Sequence, residues 1–228
     1  MKLGIISDIH GNYPALSKVM DELSNWGCDE ILCLGDVCGY YSMVNECIAL
    51  LRDKNVITLK GNHDSYILGE SKCPRSNSVN RCIEYQKNII TEDNKSWIAG
   101  LTSNIKTDRF FAVHGGWRDY LDEYIDSFDF QYAKSNMKDT NMFLSGHTHK
   151  QQLLQYGNLT YCNPGSVGQP RDYDSRAAYA ILDDCGISLY RVAYNIDEIA
   201  EHMRVAGFSD YFFQNLYYGA KIGEKPNG

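Results

Sequence analysis

Apolar residues in the first sixty positions recur with two alternating periods. Leu3 to Ile6 is a short unbroken apolar run, the length of a buried strand. Pro14 then opens a stretch in which Leu16, Val19, Met20, Leu23 and Trp26 share one helical face, and Gly27 stands where a helix would stop. Ile31–Leu34 reads as a second strand, Val44, Cys47, Ile48 and Leu51 as a second amphipathic helix, and Val56–Leu59 as a third strand. Strands alternating with helices predict a largely parallel sheet with right-handed crossovers.

Phe110–Val113 and Met142–Leu144 repeat the short apolar run, and residues 78–100 predict one or two helices. From about 151 to 194 the chain becomes β-rich and alternating, which predicts a second, antiparallel sheet packed on the first. Asp184-Cys185-Gly186 is its hairpin turn. Ile196, Ile199, Ala200 and Met203 then mark a helix that Gly207 ends, and a short aromatic-rich helix follows. No linker or repeat divides the chain, so residues 1–228 are read as one domain with a frayed tail from about residue 221.

Composition narrows the function classes. The net charge is −7, which argues against a dedicated nucleic-acid surface, since phosphate neutralisation needs a basic stripe. It does not forbid a small phosphate substrate, because bound dications would reverse the local field. No apolar run approaches the ~20 residues that span a bilayer, so no membrane partner is expected. The eight cysteines form no C-x-x-C pair and no signal peptide precedes them, so reduced thiols and a cytoplasmic location are the expectation.

The chemistry is carried by histidines. Five of the six sit in short cassettes with aspartate, asparagine and glycine: Asp8-Ile9-His10-Gly11-Asn12, Gly61-Asn62-His63-Asp64, His114-Gly115-Gly116 and Gly146-His147-Thr148-His149; Gly35-Asp36 adds a carboxylate. Each cassette follows a predicted strand, and the carboxyl ends of strands are where open α/β sheets bind ligands. Imidazole, carboxylate and amide oxygen together are a ligand set for one or two divalent metals. Asp8 and His10 are two apart, as are His147 and His149; on extended backbone such pairs face one side. Asp36 has two oxygens and is suited to bridge. A histidine near the metals but not bound to them, with His63 the candidate, would protonate a leaving alkoxide. Taken alone, His202 reads as a helix-surface residue, and Trp117, beside the His114 cassette, as the best single guess for a cleft-lining aromatic.

The ordered set D-x-H, G-D, G-N-H-D, H-G-G, G-H-T-H resembles the calcineurin-like metallophosphoesterase superfamily. The later segment Asn163-Pro164-Gly165-Ser166-Val167-Gly168-Gln169-Pro170-Arg171 is similar to its small, stand-alone bacterial and archaeal branch, loosely labelled diadenosine tetraphosphatase-like. The resemblance implies an α/β fold, a four-layer α/β/β/α sandwich of two mixed sheets flanked by helices. It implies Asp8, His10, Asp36 and His149 on one metal, and Asp36, Asn62, His114 and His147 on a second, with His63 assisting the leaving group. The cofactors it implies are two divalent or trivalent ions of manganese, iron, zinc or nickel. The substrate it implies is a small phosphomonoester or phosphodiester, attacked in line by a metal-bridging hydroxide.

One departure from the pattern stands out. Relatives such as the protein serine/threonine phosphatases carry G-D-x-x-D-R-G, whereas this chain reads Gly35-Asp36-Val37-Cys38-Gly39-Tyr40-Tyr41. The aspartate that would orient His63 is absent, and so is an arginine that would bind phosphate. Asp64 is the neighbour in sequence, and Arg118 and Arg171 are the candidates to bind substrate instead. Two alternatives stay open: a non-catalytic protein-interaction scaffold on the same fold, and a nuclease of the same superfamily.

Overall fold

The computed structural model describes residues 1–224. In chain order the elements are β1 (Leu3–Ile6), α1 (Tyr13–Asn25), β2 (Glu30–Cys33), α2 (Val44–Asp53), β3 (Ile57–Thr58), α3 (Asn62–Leu68), α4 (Asn77–Ile89), α5 (Glu92–Ala99), β4 (Asn104–Lys106), β5 (Phe111–Val113), α6 (Phe130–Asn136), β6 (Met142–Leu144), β7 (Gln151–Tyr156), β8 (Leu159–Pro164), β9 (Ala177–Asp183), β10 (Gly186–Val192) and α7 (Ile196–Val205). Two short 3₁₀ turns, Asp210–Phe212 and Gln214–Tyr218, stand where one aromatic-rich helix was expected.

The strands form two mixed sheets of five, in the orders β10-β9-β1-β2-β3 and β4-β5-β6-β8-β7. Alternation along each strand explains why they stack. Leu3 and Ile5 of β1, Leu32 of β2, Ala112 of β5, Leu144 of β6 and Leu182 of β9 meet in one apolar layer between the sheets. The opposite faces do different work. Ile6, Cys33 and Ile181 face α1, α2 and α7 in a second layer. Phe111, Val113, Phe143 and Tyr161 face Phe128 and Ala133 of the α6 region in a third. Three apolar interfaces between four layers, two of helices and two of strands, make the α/β/β/α sandwich.

The expected second sheet is corrected by the pairing. Residues 151–194 do not form a sheet of their own: β7 and β8 join β5 and β6, whereas β9 pairs antiparallel with β1 through Leu3–Leu182, Gly4–Ile181 and Ile5–Ala180. The alternation was legible, but the choice of partner is made by burial, since Ala180 and Leu182 complete the layer under Leu3 and Ile5. The hairpin turn falls where predicted, between Asp183 and Gly186. Trp26 is not part of the helix face. It caps α1, is exposed, and rests on Tyr190 with ring centroids 4.9 Å apart. Of the predicted frayed tail, residues 221–224 form a turn, Glu224 N–H donating to the Lys221 carbonyl at 3.0 Å, and Ile222 packs on the core. The rest of that tail, 225–228, lies outside the described residues. All eight cysteines are free, and among the described residues no helix is long and apolar enough to cross a membrane.

Candidate metal centre

Five loops converge. Those after β1 and β2 and the start of α3 come from the first sheet; those after β5 and β6 come from the second. The loops are laced by backbone hydrogen bonds: Asp8 N–H donates to Gly35 O at 3.0 Å, His10 N–H to Asp36 O at 3.0 Å, and Gly146 N–H to His114 O at 2.8 Å. The Asn163–Gln169 segment adds support behind them. Ser166 Oγ donates to Asp8 O at 2.7 Å, and Asn163 Nδ2 donates to Gly146 O at 2.6 Å. Asp8, His10, Asp36, His147 and His149 all take left-handed φ, between 54° and 68°. This is strained backbone for such residues, and it corrects the extended geometry expected of the two i, i+2 pairs. The pairs share a site because tight turns, not strands, carry them.

Every sequence-predicted ligand reaches one buried cluster. Asp8, His10 and His149 form one group whose ligand atoms lie within 4.8 Å of one another, and Asp36, His114 and His147 form another. Asp36 Oδ2 lies 3.6 Å from His10 Nε2 and 3.4 Å from His114 Nε2, so this one oxygen faces both groups. Asn62 Oδ1 is 3.0 Å from His114 Nε2, and His147 Nδ1 is 3.2 Å from it. His63 also faces Asp36 and His10 within the same limit.

The far side of each candidate histidine and carboxylate is occupied. His10, His114 and His149 each donate from Nδ1 to a backbone carbonyl, of Cys38 at 2.7 Å, Leu34 at 3.0 Å and Gln169 at 2.7 Å. A carbonyl only accepts, so the proton sits on Nδ1 and the inward Nε2 keeps a lone pair when the ring is neutral. His147 is reversed, with Nδ1 inward and Nε2 3.3 Å from Asp122 Oδ1. Each carboxylate likewise has one oxygen held: Asp8 Oδ2 accepts from His147 N–H at 3.0 Å, and Asp36 Oδ1 from His63 N–H at 2.8 Å. The other oxygens, Asp8 Oδ1 and Asp36 Oδ2, are buried with no hydrogen-bond partner among the described residues. Carboxylate oxygens that no hydrogen bond satisfies, set among inward-facing imidazole nitrogens, fit a pair of metal ions.

Protonation follows burial and charge. Burial pushes His10 and His149 well below the ordinary imidazole value, in the second case helped by Arg171, so both are neutral donors. Burial opposes charge on His114, but Asp36 beside it lifts the ring to about 9. Burial likewise disfavours the Asp36 carboxylate, yet His114 and His63 hold it well below the carboxylate range. Burial raises Asp8 to about 6.

His63 is held without the missing aspartate. Its ring packs against Tyr40, His10 and Tyr66, at centroid distances of 4.9, 4.8 and 5.4 Å. Asp64 has a different task, accepting from Asp36 N–H at 3.0 Å, Gly61 N–H at 2.9 Å and Cys38 N–H at 2.9 Å; it stitches α3 to the Asp36 loop. Gly39 explains how the rings crowd together: at φ +139°, a Cβ there would overlap His10 Nδ1 and press on His63 Nδ1.

Of the two arginine candidates, Arg171 is half-buried beside the cluster, donating to Tyr40 Oη at 2.9 Å and to Gln169 Oε1. Arg118 is not at the site. It is exposed, pairs with Glu123 and Asp129, and stacks on Tyr132 at 4.1 Å. Trp117 is also corrected: it is buried against Phe111, Phe128 and Phe143, beneath the second sheet. The aromatics at the cluster are Tyr40, Tyr66 and Tyr124, whose ring lies 4.0 Å from His147. Nothing singled out Tyr66 or Tyr124 among the 17 tyrosines. Tyr40 had a positional clue, standing where relatives carry the arginine. His202 is less exposed than expected, 2.7 Å from Ser42 Oγ through Nδ1.

An α/β/β/α sandwich whose loops bury such a cluster defines a metallophosphoesterase-type protein. The chain belongs to the calcineurin-like phosphoesterase superfamily, whose domain profile matches residues 1–185. It is 31% identical to "Uncharacterized protein MJ0912" of Methanocaldococcus jannaschii, covering 95% of this chain and 98% of that one. It is 26% identical to phosphodiesterase YfcE of Escherichia coli K12, covering 90% and 98%. Among solved structures, the metallophosphoesterase from Sphaerobacter thermophilus superposes with a TM-score of 0.80 at 28% identity, covering 96% of this chain and 99% of that one.

Proposed function

We propose that the protein is a two-metal phosphoesterase acting on a small phosphomonoester or phosphodiester. The observation that carries the reading is the pair of orphaned oxygens, Asp8 Oδ1 and Asp36 Oδ2, each facing imidazole nitrogens within 4 Å. Asp8, His10, Asp36 and His149 would hold one ion, and Asp36, Asn62, His114 and His147 the other. Two such ions, when bound, supply Lewis acidity toward the phosphoryl oxygens and activate the attacking water. The intact donor set favours an enzyme over a scaffold.

The chain's own groups do the rest. His63 is the proton donor to the departing oxygen. Burial holds its ring down to about 4, so it is neutral before substrate binds, and an incoming phosphate must raise its proton affinity. Arg171, half-buried beside the cluster, is the substrate-binding arginine of this chain. Tyr40 and Tyr66 hold the His63 ring by packing. Elemental analysis together with mono- and bis-nitrophenyl phosphate assays tests the reading. About two transition metals per chain, with turnover lost in Asp36→Asn and His114→Ala, are expected, and the ratio of the two rates separates phosphatase from phosphodiesterase. Full activity in those variants overturns it.

A further inference from the structure

Next to the cluster lies a cleft of about 210 Å³ whose lining includes Tyr40, Tyr124, Gln169, Arg75, Arg171 and Lys221. Its aromatic walls are the rings that rest on the candidate ligands. Tyr40 lies 4.6 Å from His10, and Tyr124 lies 4.0 Å from His147. Whatever fills the cleft is therefore one ring's thickness from both halves of the centre.

The charge is unusual for this chain. Three cations line the cleft and no carboxylate does, in a protein where acids outnumber bases 29 to 22. Arg75 is balanced by Asp122, which also sits on His147, and its guanidinium lies 5.3 Å from the Tyr124 ring centroid. Arg171 has no ion pair at contact distance. Its side-chain hydrogen bonds go to the neutral Gln169 and Tyr40, and among the described residues it forms no salt bridge. A half-buried guanidinium with no carboxylate in contact is a binding surface for an anion that arrives from outside.

We infer that this cleft receives a second phosphoryl group of the substrate, gripped by Arg75, Arg171 and Lys221 while the scissile ester lies at the cluster. The substrate class is then small organic bisphosphates rather than simple monoesters. A phosphate fits better than a carboxylate, because with Asp122 offsetting one cation the cleft presents about two positive charges to a group that carries nearly two negative ones. The cleft is too small for a whole substrate of typical size but sufficient for one such group. This inference rests on the phosphoesterase reading for the scissile end.

The test is calorimetric titration of the metal-loaded, full-length protein with propane-1-phosphonate and propane-1,3-bisphosphonate, neither of which can be hydrolysed. Metal content is measured before and after. The bisphosphonate is expected to bind tighter by 10-fold or more, on the order of one or two charge-assisted contacts. Arg75→Gln and Lys221→Gln are each expected to cut that preference several-fold, and the latter, at the surface, spares the fold should the former disturb Asp122. Equal affinities, or a preference that survives both variants, overturn the inference. Nitrophenyl phosphate turnover on the same samples separates the two readings. Turnover without a bisphosphonate preference overturns the second-phosphate site alone. A preference lost in the variants, with no turnover of any ester, supports the anion site and overturns the hydrolase reading.

Discussion

Gly39→Ala tests whether the crowding of imidazoles depends on a missing side chain. Gly39 stands where the protein serine/threonine phosphatase pattern has an aspartate, at φ +139°. An alanine there meets two costs. The left-handed backbone strains an L-residue by about 1–2 kcal/mol. The added methyl overlaps His10 Nδ1 and lies 3.0 Å from His63 Nδ1, and overpacking of a buried site costs about 1–3 kcal/mol. The backbone cannot simply withdraw, because Gly39 N–H donates to the buried Gln86 Oε1 at 2.8 Å and Gln86 Nε2 holds the Tyr41 carbonyl. The sum is about 2–5 kcal/mol, a large share of the 5–15 kcal/mol of a typical domain. To make room, His10 must also give up its 2.7 Å hydrogen bond to Cys38 O, and losing such an outer partner weakens metal affinity by roughly 10–100-fold. Urea unfolding of the metal-free protein and chelator competition with the loaded one read the two effects. An alanine variant within about 0.5 kcal/mol of wild type, with unchanged metal affinity, would refute the packing argument.

Three further outcomes are expected. Burial lowers His63 from 6.5 to about 4, so the fold binds fewer protons there than the unfolded chain. The associated stability is complete above pH 6.5 and is lost as pH falls toward 4, on the order of 3 kcal/mol; metal-free His63→Asn should lose correspondingly less over that range in urea titrations, and parallel curves would contradict the shift. Asp122→Ala removes the carboxylate 3.3 Å from His147 Nε2 and should weaken metal binding by roughly 10–100-fold in chelator competition, whereas unchanged affinity would show that the carboxylate does not orient the ring. Arg118→Ala should leave metal content and nitrophenyl phosphate turnover as they are, because its partners are Glu123, Asp129 and Tyr132; a raised KM would bring Arg118 back to the substrate.

The strands that carry the cassettes were legible because each is a short apolar run with a polar stop, as at Leu3–Ile6 and Met142–Leu144. The convergence of the candidate ligands was legible for the same reason, since the cassettes follow strand ends. Two kinds of fact were not. Strand partnership was hidden, because β9 is equally apolar whether it closes a new sheet or joins β1. The helical start at Asn62 was masked by its cassette: α3 begins on the candidate ligand itself, with Gly61 as cap and Asp64 reaching back to the Gly61 N–H. The contacts of individual side chains were also out of reach. Arg118 and Arg171 look alike in sequence, and Trp117 sits closer to a cassette than Tyr40 does to His63. What distinguishes them is which side of a loop faces the cluster, a property of backbone turns that no residue pattern records.

The same turns bear on how metals would enter. Five of the seven candidate ligands sit in left-handed backbone, a conformation each keeps only because its surroundings insist on it. Those surroundings are protein: the amides of His147 and His63 on the carboxylates, and carbonyls of Cys38, Leu34 and Gln169 on the rings. Asp64 contributes three more bonds without touching the cluster's open atoms. Each inward imidazole and carboxylate is thus aimed by a contact on its far side. These contacts are set in a frame of three apolar layers around the two sheets. Ions bound at the cluster would meet donors already aimed, so they should raise the unfolding temperature while leaving the far-ultraviolet circular dichroism of the folded protein unchanged. A helical or strand signal that grows on metal addition would mean that the loops are assembled by the ions after all.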